Sequence, residues 1–250
     1  MAQAPQDQPC RDDAYASFLT IRRKAILARV RAACERVGRD ESDVSIVAVS
    51  KTVDVAAVRA AMDAGYRRFG ENRPQELARK LEALGADGGE VPPFDLIGNL
   101  QRNKVNLVLG KAQLIQSVSS LALAEAVSSR AEARGIVQPV LFEVNVSGEA
   151  TKGGFAPLEL EQAAERLVEL PGIEPRGLMT MAPAHAPDLA RQTFKGLREL
   201  RATLIDQCGL QVPELSCGMS DDFTIAIEEG STIVRLGRVV FDQGYELAGD

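Results

Sequence analysis

Short apolar runs alternate with longer stretches of helical spacing along most of this chain. The short runs are rich in Val, Ile and Leu, which is typical of strands that are buried on both faces of a parallel sheet. Eight runs predict strands, at Val44–Val49, Arg68–Gly70, Phe94–Ile97, Leu114–Ser117, Val140–Val144, Ile173–Leu178, Glu214–Ser216 and Ile233–Leu236.

The stretches between these runs predict helices, because their apolar residues recur at helical spacing. A longer stretch of the same kind, Tyr15–Val37, predicts an additional helix before the first strand. The helices between strands are predicted at Val55–Ala64, Pro74–Leu84, Asn103–Leu109, Leu121–Ala133, Pro157–Leu170, Leu189–Gln207 and Asp222–Glu229.

Strand and helix alternate without an obvious linker, which favours a closed (β/α)8 barrel of the TIM type over an open, doubly wound sheet. A chain of 250 residues is long enough for such a barrel as one domain. Residues 1–14 are polar and acidic, and they predict a disordered N-terminal tail. The expected organisation is therefore this tail followed by a single domain over residues 15–250.

A lysine follows the first predicted strand directly. Lys51 comes after the run VSIVAVS, at the end of the strand where proteins of this fold carry their functional residues. The barrel walls would desolvate its amine and favour the neutral form, which condenses with aldehydes. Position alone leaves a second possibility open, a lysine that extends from the strand end into solvent.

The loops after the last two predicted strands have the features of a phosphate site. These two loops hold phosphate in many barrels of this fold. Here they contain Gly218, Ser220 and Gly237, and a helix that begins near Asp222 directs its first amides to the same place. An ordinary capped helix with a turn glycine would give the same pattern.

Arg235 interrupts a strand that is otherwise apolar, TIVRLG. Strand alternation places it on the face opposite to Val234 and Leu236. An arginine that faces the barrel interior needs an acceptor, whereas one that faces outward would pair with a helix carboxylate. The periodicity leaves both orientations open.

The charge and the cysteine pattern exclude several function classes. The formal net charge is −6, which argues against binding to nucleic acid or to an anionic membrane. The four cysteines lack C-x-x-C spacing and the chain has one histidine, His185, so neither a zinc site nor a disulfide scaffold is indicated. No signal peptide or membrane-spanning run is present, and we expect a cytoplasmic protein.

Seven motifs, in order, resemble the signatures of the pyridoxal 5′-phosphate (PLP) homeostasis proteins, a family with the barrel of fold-type III PLP enzymes such as alanine racemase. The resemblance runs from about residue 15 to about residue 242. The motifs are IVAVSKTV, GYRRFGENRPQE, LIGNLQRNK, VNVSGEATKGG, GLMTMAP, LSCGMSDD and GSTIVRLG.

This resemblance implies how the cofactor would be held. Lys51 would form a Schiff base with PLP. Ser220 and the backbone amides of Gly237 and Arg238 would bind the phosphate, and Arg235 would face the pyridine nitrogen.

Two further residues match the family motifs, and two positions depart from them. Asn72 matches a residue close to the cofactor, and Lys152 matches a loop lysine that we expect to help PLP enter or leave. A counter-charge for Glu149 is the alternative role of Lys152. Where the family often has a histidine before IG in the third-strand motif, this chain has Asp95-Leu96, and Cys217 replaces the usual apolar residue before GMS.

The residues favour a carrier over an enzyme. An arginine beside the pyridine nitrogen disfavours the pyridinium, which is the strongest electron sink of PLP chemistry. The β-domain that provides the second base in alanine racemases is expected to be absent, although Tyr245 could reach the mouth. We therefore expect a monomeric PLP carrier or buffer in vitamin B6 homeostasis, without substrate turnover, whose partners are PLP and apo PLP-dependent enzymes. A weak amino-acid racemase and a cofactor-free protein scaffold are the alternatives.

Overall fold

Eight parallel strands close into a barrel in chain order in the computed structural model, which describes residues 9–86, 88–149 and 152–247. Strand β1 pairs with β2 on one side and with β8 on the other, so the sheet has no free edge. The (β/α)8 barrel predicted from the sequence is confirmed. The strands are β1 Ser45–Val49, β2 Phe69–Glu71, β3 Phe94–Leu96, β4 Leu114–Val118, β5 Gln138–Glu143, β6 Ile173–Met179, β7 Glu214–Ser216 and β8 Ile233–Leu236.

Helices surround the barrel and connect its strands. None of the described helices is both long and apolar enough to cross a membrane. The α-helices are α1 Pro9–Arg36, α2 Val55–Asp63, α3 Pro74–Gly85, α4 Val105–Val108, α5 Leu121–Glu132, α6 Pro157–Val168, α7 Pro187–Cys208, α8 Phe223–Glu228 and α9 Arg238–Phe241, with 3-10 turns at Glu41–Asp43 and Arg102–Lys104.

The first helix begins earlier than the hydrophobic pattern predicted. Helix α1 begins at Pro9, so residues 9–14 of the predicted tail are helical, and residues 1–8 lie outside the described part of the chain. Proline suits the first turn of a helix, where its missing N–H is not needed, and Asp13 follows in the next turn. Hydrophobic periodicity does not detect such terminal preferences.

The core has two parts, one inside the barrel and one between the barrel and the helices. The outer part is the larger and includes Leu19 and Ile26 of α1. The inner part stabilises the barrel itself and consists of Val47, Leu114, Leu141, Met179 and Ile233. Because all strands are parallel, their carboxyl ends meet at one mouth, and the loops that follow them enclose the candidate site.

Candidate functional site

One cavity of 740 Å³ lies at the carboxyl ends of the strands. Its walls include Val49, Ile97 and the segment from Met181 to Pro187. All seven residues that the motifs predicted line this cavity, namely Lys51, Asn72, Lys152, Ser220, Arg235, Gly237 and Arg238. The structure therefore brings together residues that are far apart in the sequence.

Lys51 follows β1 and is exposed at the mouth. Its amine has no hydrogen-bond or ion-pair partner among the residues that the structure describes. The expectation that the barrel walls desolvate this amine is wrong, because Ser50 forms the last buried layer and Lys51 extends beyond it. The amine is thus available to a ligand in the cavity.

A second lysine lies just inside the mouth, and its amine already has two hydrogen-bond partners. Lys80 of α3 is 2% exposed, and its Nζ donates to Glu71 Oε1 at 2.5 Å and to the Ser50 carbonyl at 2.6 Å. The Ser50 hydroxyl donates to the same carboxylate oxygen at 2.7 Å. This buried ion pair joins the end of β1 to the end of β2 and fixes the backbone from which Lys51 extends.

Asn72 comes directly after β2 and is half-buried in the cavity wall. The loop after β3 packs against its backbone at Gly98. A Cβ atom at Gly98 would lie 2.3 Å from the Asn72 carbonyl oxygen, so only glycine allows this approach. The close contact holds Asn72 at the mouth.

Arg235 faces the barrel interior and is 4% exposed. Its Nη1 donates to the Ser216 carbonyl at 2.8 Å and to the Ser216 hydroxyl at 2.7 Å, and its Nη2 donates to the Thr180 carbonyl at 2.9 Å. A guanidinium has five N–H donors, and the remaining two have no acceptor among the described residues. Burial lowers the pKa of Arg235, whereas electrostatic interactions with Cys217, Asp222 and Glu143 raise it.

The loops after β7 and β8 meet around the Ser220 hydroxyl, which accepts a hydrogen bond from the Val239 amide at 3.1 Å. The amides of Gly237 and Arg238 line the same place and have no acceptor among the described residues. Gly218 is required in the first loop, because its φ is +95° and a Cβ would lie 2.6 Å from the Ala226 Cβ. At Gly237 a Cβ would meet only Val49, at 3.5 Å, and would partly fill the cavity.

The side chain of Arg238 is directed away from this group of amides. It pairs with Asp221 at 2.6 Å and lies over the ring of Tyr245. The Tyr245 hydroxyl lies 2.7 Å from Asp221 Oδ1 and 3.0 Å from the Ser220 carbonyl oxygen, and its one proton is shared between these two acceptors. Burial, with the neighbouring Asp221 carboxylate, raises the pKa of Tyr245 to about 12. Tyr245 reaches the loop that contains Ser220, but it is not among the described residues that line the cavity.

Lys152 enters the cavity from the loop after β5. Its Nζ donates to Glu149 Oε1 at 3.0 Å and to the Met181 carbonyl at 3.2 Å. The counter-charge arrangement considered from the sequence is therefore present. Lys152 differs from Lys51 in that its amine already has two partners.

Sequence reasoning missed two residues of the cavity wall. Glu143, the last residue of β5, is 8% exposed, and its carboxylate has no hydrogen-bond partner among the described residues. Burial raises its pKa, and the charge of Arg235 opposes this. His185 lines the cavity with a φ of +57°, which is unusual for a residue other than glycine. The strand-end position was a signal that could have identified Glu143, whereas His185 lies in a loop without such a signal.

Comparison with known proteins identifies relatives along most of the chain. Residues 21–243 match the family described as alanine racemase, N-terminal domain. A pyridoxal phosphate homeostasis protein of Aquifex aeolicus is 44% identical over 219 residues, which are 87% of this chain and 95% of the relative.

Solved structures agree with this relationship. A protein from Bifidobacterium adolescentis, described as unknown, is 40% identical with a TM-score of 0.85, and the match covers 96% of this chain and 98% of that one. PipY of Synechococcus elongatus, solved with PLP bound, is 32% identical with a TM-score of 0.75 over 86% of this chain and 99% of that one. The resemblance found in the motifs is confirmed, and the chain belongs to the alanine racemase N-terminal domain family, among the pyridoxal phosphate homeostasis proteins.

Proposed function

We propose that this protein binds PLP as a Schiff base to Lys51 and takes part in vitamin B6 homeostasis as a carrier or buffer without substrate turnover. One observation carries the proposal. The residues that line one cavity include a lysine with a partner-free amine, a buried arginine with two unused donors, and two residues whose amides have no acceptor among the described residues. PLP offers an aldehyde, a ring nitrogen and a phosphate, and each of these groups has a chemically matched counterpart there.

The residues act on different parts of the ligand. The Lys51 amine would hold PLP through its aldehyde carbon, because an amine is the nucleophile that condenses with an aldehyde. Ser220 and the amides of Gly237 and Arg238 bind the phosphate, since hydroxyl and amide donors suit its oxygens. The unused donors of Arg235 suit an unprotonated ring nitrogen, and Asn72 contributes to the wall beside the cofactor.

Three observations favour holding the cofactor over turning over a substrate. When bound, PLP stabilises carbanions best with a protonated ring nitrogen, and the cationic Arg235 disfavours that proton. Tyr245, the candidate second base of a racemase, shares its hydroxyl proton between Asp221 and the Ser220 carbonyl and is not among the described residues that line the cavity. The relatives are named as homeostasis proteins.

The finer features of the function are proposals as well. We propose that the protein works in the cytoplasm as a monomer with one domain, which includes the whole of helix α1 from Pro9, and hands PLP to apo PLP-dependent enzymes. Lys152 would assist this transfer, because a second amine at the mouth can accept the aldehyde from Lys51 and pass it outward. A residual amino-acid racemase activity is the second candidate function.

Borohydride reduction followed by peptide mass mapping tests the main proposal. The purified protein is loaded with PLP, reduced and digested. A phosphopyridoxyl group is expected on the peptide that contains Lys51, with loss of the visible absorption band. Lys51→Ala should abolish this adduct and leave the fold intact, because an exposed lysine contributes little to packing.

Recovery of the adduct only on other lysines would contradict the assignment of Lys51. The racemase alternative is tested on the same preparation with a single amino-acid enantiomer. Interconversion at about 1 per second or faster that disappears in Lys51→Ala would establish an enzyme in place of a carrier.

A further inference from the structure

A chain of hydrogen bonds crosses the interior of the barrel and ends at Arg235. It begins at Arg68, whose Nε and Nη2 contact the Asp95 carboxylate at 3.1 and 2.9 Å. Gln116 Nε2 donates to Asp95 Oδ2 at 2.6 Å, and the Ser216 hydroxyl donates to Gln116 Oε1 at 2.6 Å. Arg235 Nη1 then donates to the same Ser216 hydroxyl oxygen at 2.7 Å. Arg68 precedes β2, so the chain runs from the opposite end of the barrel to the cavity.

The carboxylate of Asp95 sets the direction of every bond in this chain. An ionised carboxylate only accepts hydrogen bonds, so Gln116 must present its NH2 group to Asp95. The Gln116 carbonyl oxygen then faces Ser216 and accepts the hydroxyl proton. The lone pairs of the hydroxyl oxygen are left to Arg235.

This direction matters because a buried arginine requires acceptors. If the amide of Gln116 were reversed, its NH2 group would face the Ser216 hydroxyl, and the hydroxyl proton would lose the Gln116 oxygen as its acceptor. The hydroxyl would then have to rotate towards another acceptor, so its lone pairs would no longer be held towards Arg235 Nη1. The Ser216 and Thr180 carbonyls alone leave the guanidinium less firmly held.

We propose that Asp95 is a positioning residue for the PLP site, which acts through Gln116 and Ser216 to fix the Arg235 guanidinium in the cavity wall. This inference rests on the proposed function. A carboxylate is suited to the task because it cannot donate a hydrogen bond while it is ionised. Asp95 itself is fully buried in β3 and does not line the cavity.

The effect of Asp95 on the position of Arg235 should depend on pH. Burial raises the pKa of Asp95 to about 6, with a contribution from the charge of Glu214, while the charge of Arg68 and hydrogen bonds from Arg68 and Gln116 lower it. Below that pH the protonated carboxyl can donate to Gln116, so the amide is no longer oriented in one direction.

The raised pKa of Asp95 also affects how the stability of the protein depends on pH. The folded pKa lies above the ordinary value of 3.8, so this contribution to the free energy of unfolding is present below about pH 4 and lost as pH rises through 6.

A double-mutant cycle on full-length protein tests the proposal, with Asp95→Asn, Ser216→Ala and the double variant. The dissociation constant of PLP is measured from its visible band, with the Lys51 adduct as the check that PLP is bound at its site. At pH 7.5 each single variant should weaken PLP binding about five- to tenfold, and the double variant should be no weaker than the weaker single one. If Asp95→Asn acted through a packing defect, it would weaken PLP binding further in the Ser216→Ala background. Fold-changes in the dissociation constant that multiply in the double variant would therefore overturn the proposal.

The pH profile separates positioning from folding. The ratio of dissociation constants between Asp95→Asn and wild type should fall towards one by pH 5, where Asp95 is protonated in both the free and the bound protein. Glu174→Gln is the matched control, because it removes an exposed carboxylate that is paired with Arg176 but neither contacts the hydrogen-bond chain nor contributes to the pKa of Asp95. It should leave PLP binding unchanged within twofold.

Two outcomes remain distinguishable if a variant behaves unexpectedly. If Asp95→Asn does not fold, Ser216→Ala still tests the role of Asp95. The wild type should bind PLP more tightly than Ser216→Ala at pH 7.5, and this advantage should decline as pH falls through 6. A ratio of dissociation constants that stays the same over this pH range would refute the inference. If the wild type itself gives no Lys51 adduct, the proposed function fails, whereas an adduct with an unaffected Asp95→Asn variant refutes only the role of Asp95.

Discussion

Lys51 and Lys80 lie on either side of Ser50, at the same end of strand β1, in very different surroundings. The amine of Lys80 is buried and makes two hydrogen bonds, one of them to the Glu71 carboxylate. The amine of Lys51 is exposed and has no partner among the described residues. The comparison indicates that Lys80 fixes the backbone at the barrel mouth, whereas the amine of Lys51 remains available to a ligand.

The largest expected effect comes from removing the buried amine. Lys80→Met should lower the free energy of unfolding by about 3 to 5 kcal/mol, because it leaves the Glu71 carboxylate buried without a counter-charge. Lys51→Met is the matched control and should change stability by less than about 0.5 kcal/mol. Denaturant unfolding of both variants measures the difference.

Replacing both members of the buried pair sharpens this test. The double variant Glu71→Gln/Lys80→Met removes the unpaired charge and should recover part of the stability that Lys80→Met loses. If Lys80→Met were as stable as Lys51→Met, the buried ion pair would not maintain the mouth, and the contrast between the two lysines would be wrong.

A smaller effect is expected at the phosphate end of the ligand. Ser220→Ala should weaken PLP binding by about 1.5 to 3 kcal/mol and pyridoxal binding much less, because only PLP has the phosphate that the hydroxyl would contact. Lys51 and its surroundings are unchanged in this variant, so the chemistry of the amine serves as the internal control. Equal losses for the two ligands in an absorbance titration would place the phosphate elsewhere.

The smallest equilibrium effect is expected at Lys152, which is intermediate between the other two lysines. Its amine has two partners, as that of Lys80 has, yet it faces the cavity, as Lys51 does. Lys152→Ala should leave the visible spectrum of the bound cofactor almost unchanged and slow the transfer of PLP to an apo-enzyme. Glu149→Gln removes the ion pair but keeps the lysine, so it should not slow transfer. A wild-type transfer rate in Lys152→Ala would show that this lysine only pairs with Glu149.

Much of the fold could be predicted from the sequence, because a parallel barrel repeats one pattern eight times. All eight strands are confirmed, with boundaries that differ by no more than two residues. The start of α1 was harder to predict, since residues 9–14 lack the apolar spacing that revealed the rest of that helix. Local pattern therefore determined the elements more reliably than their ends.

The candidate site was predictable as a set of residues but not as a set of contacts. The rule that functional residues follow parallel strands, together with the motifs, identified positions such as Lys51 and Ser220 that line one cavity. It could not show that Arg235 faces inward, because alternation fits both faces of the strand. Contacts between distant segments, such as Lys80 with Ser50 or Asp95 with Gln116, leave no trace in the spacing of a single sequence.

The pairing of β1 with β8 has a consequence for the life of the polypeptide. Ser45 pairs with Ile233, so the first and last strands of the barrel become neighbours only after β8 has been synthesised. Lys51 is synthesised long before Ser220 and Gly237. A nascent chain therefore carries Lys51 without the loops after β7 and β8, and we expect tight cofactor capture to begin only once both loops are present. Under the proposed function, cofactor loading would then report that the barrel has closed.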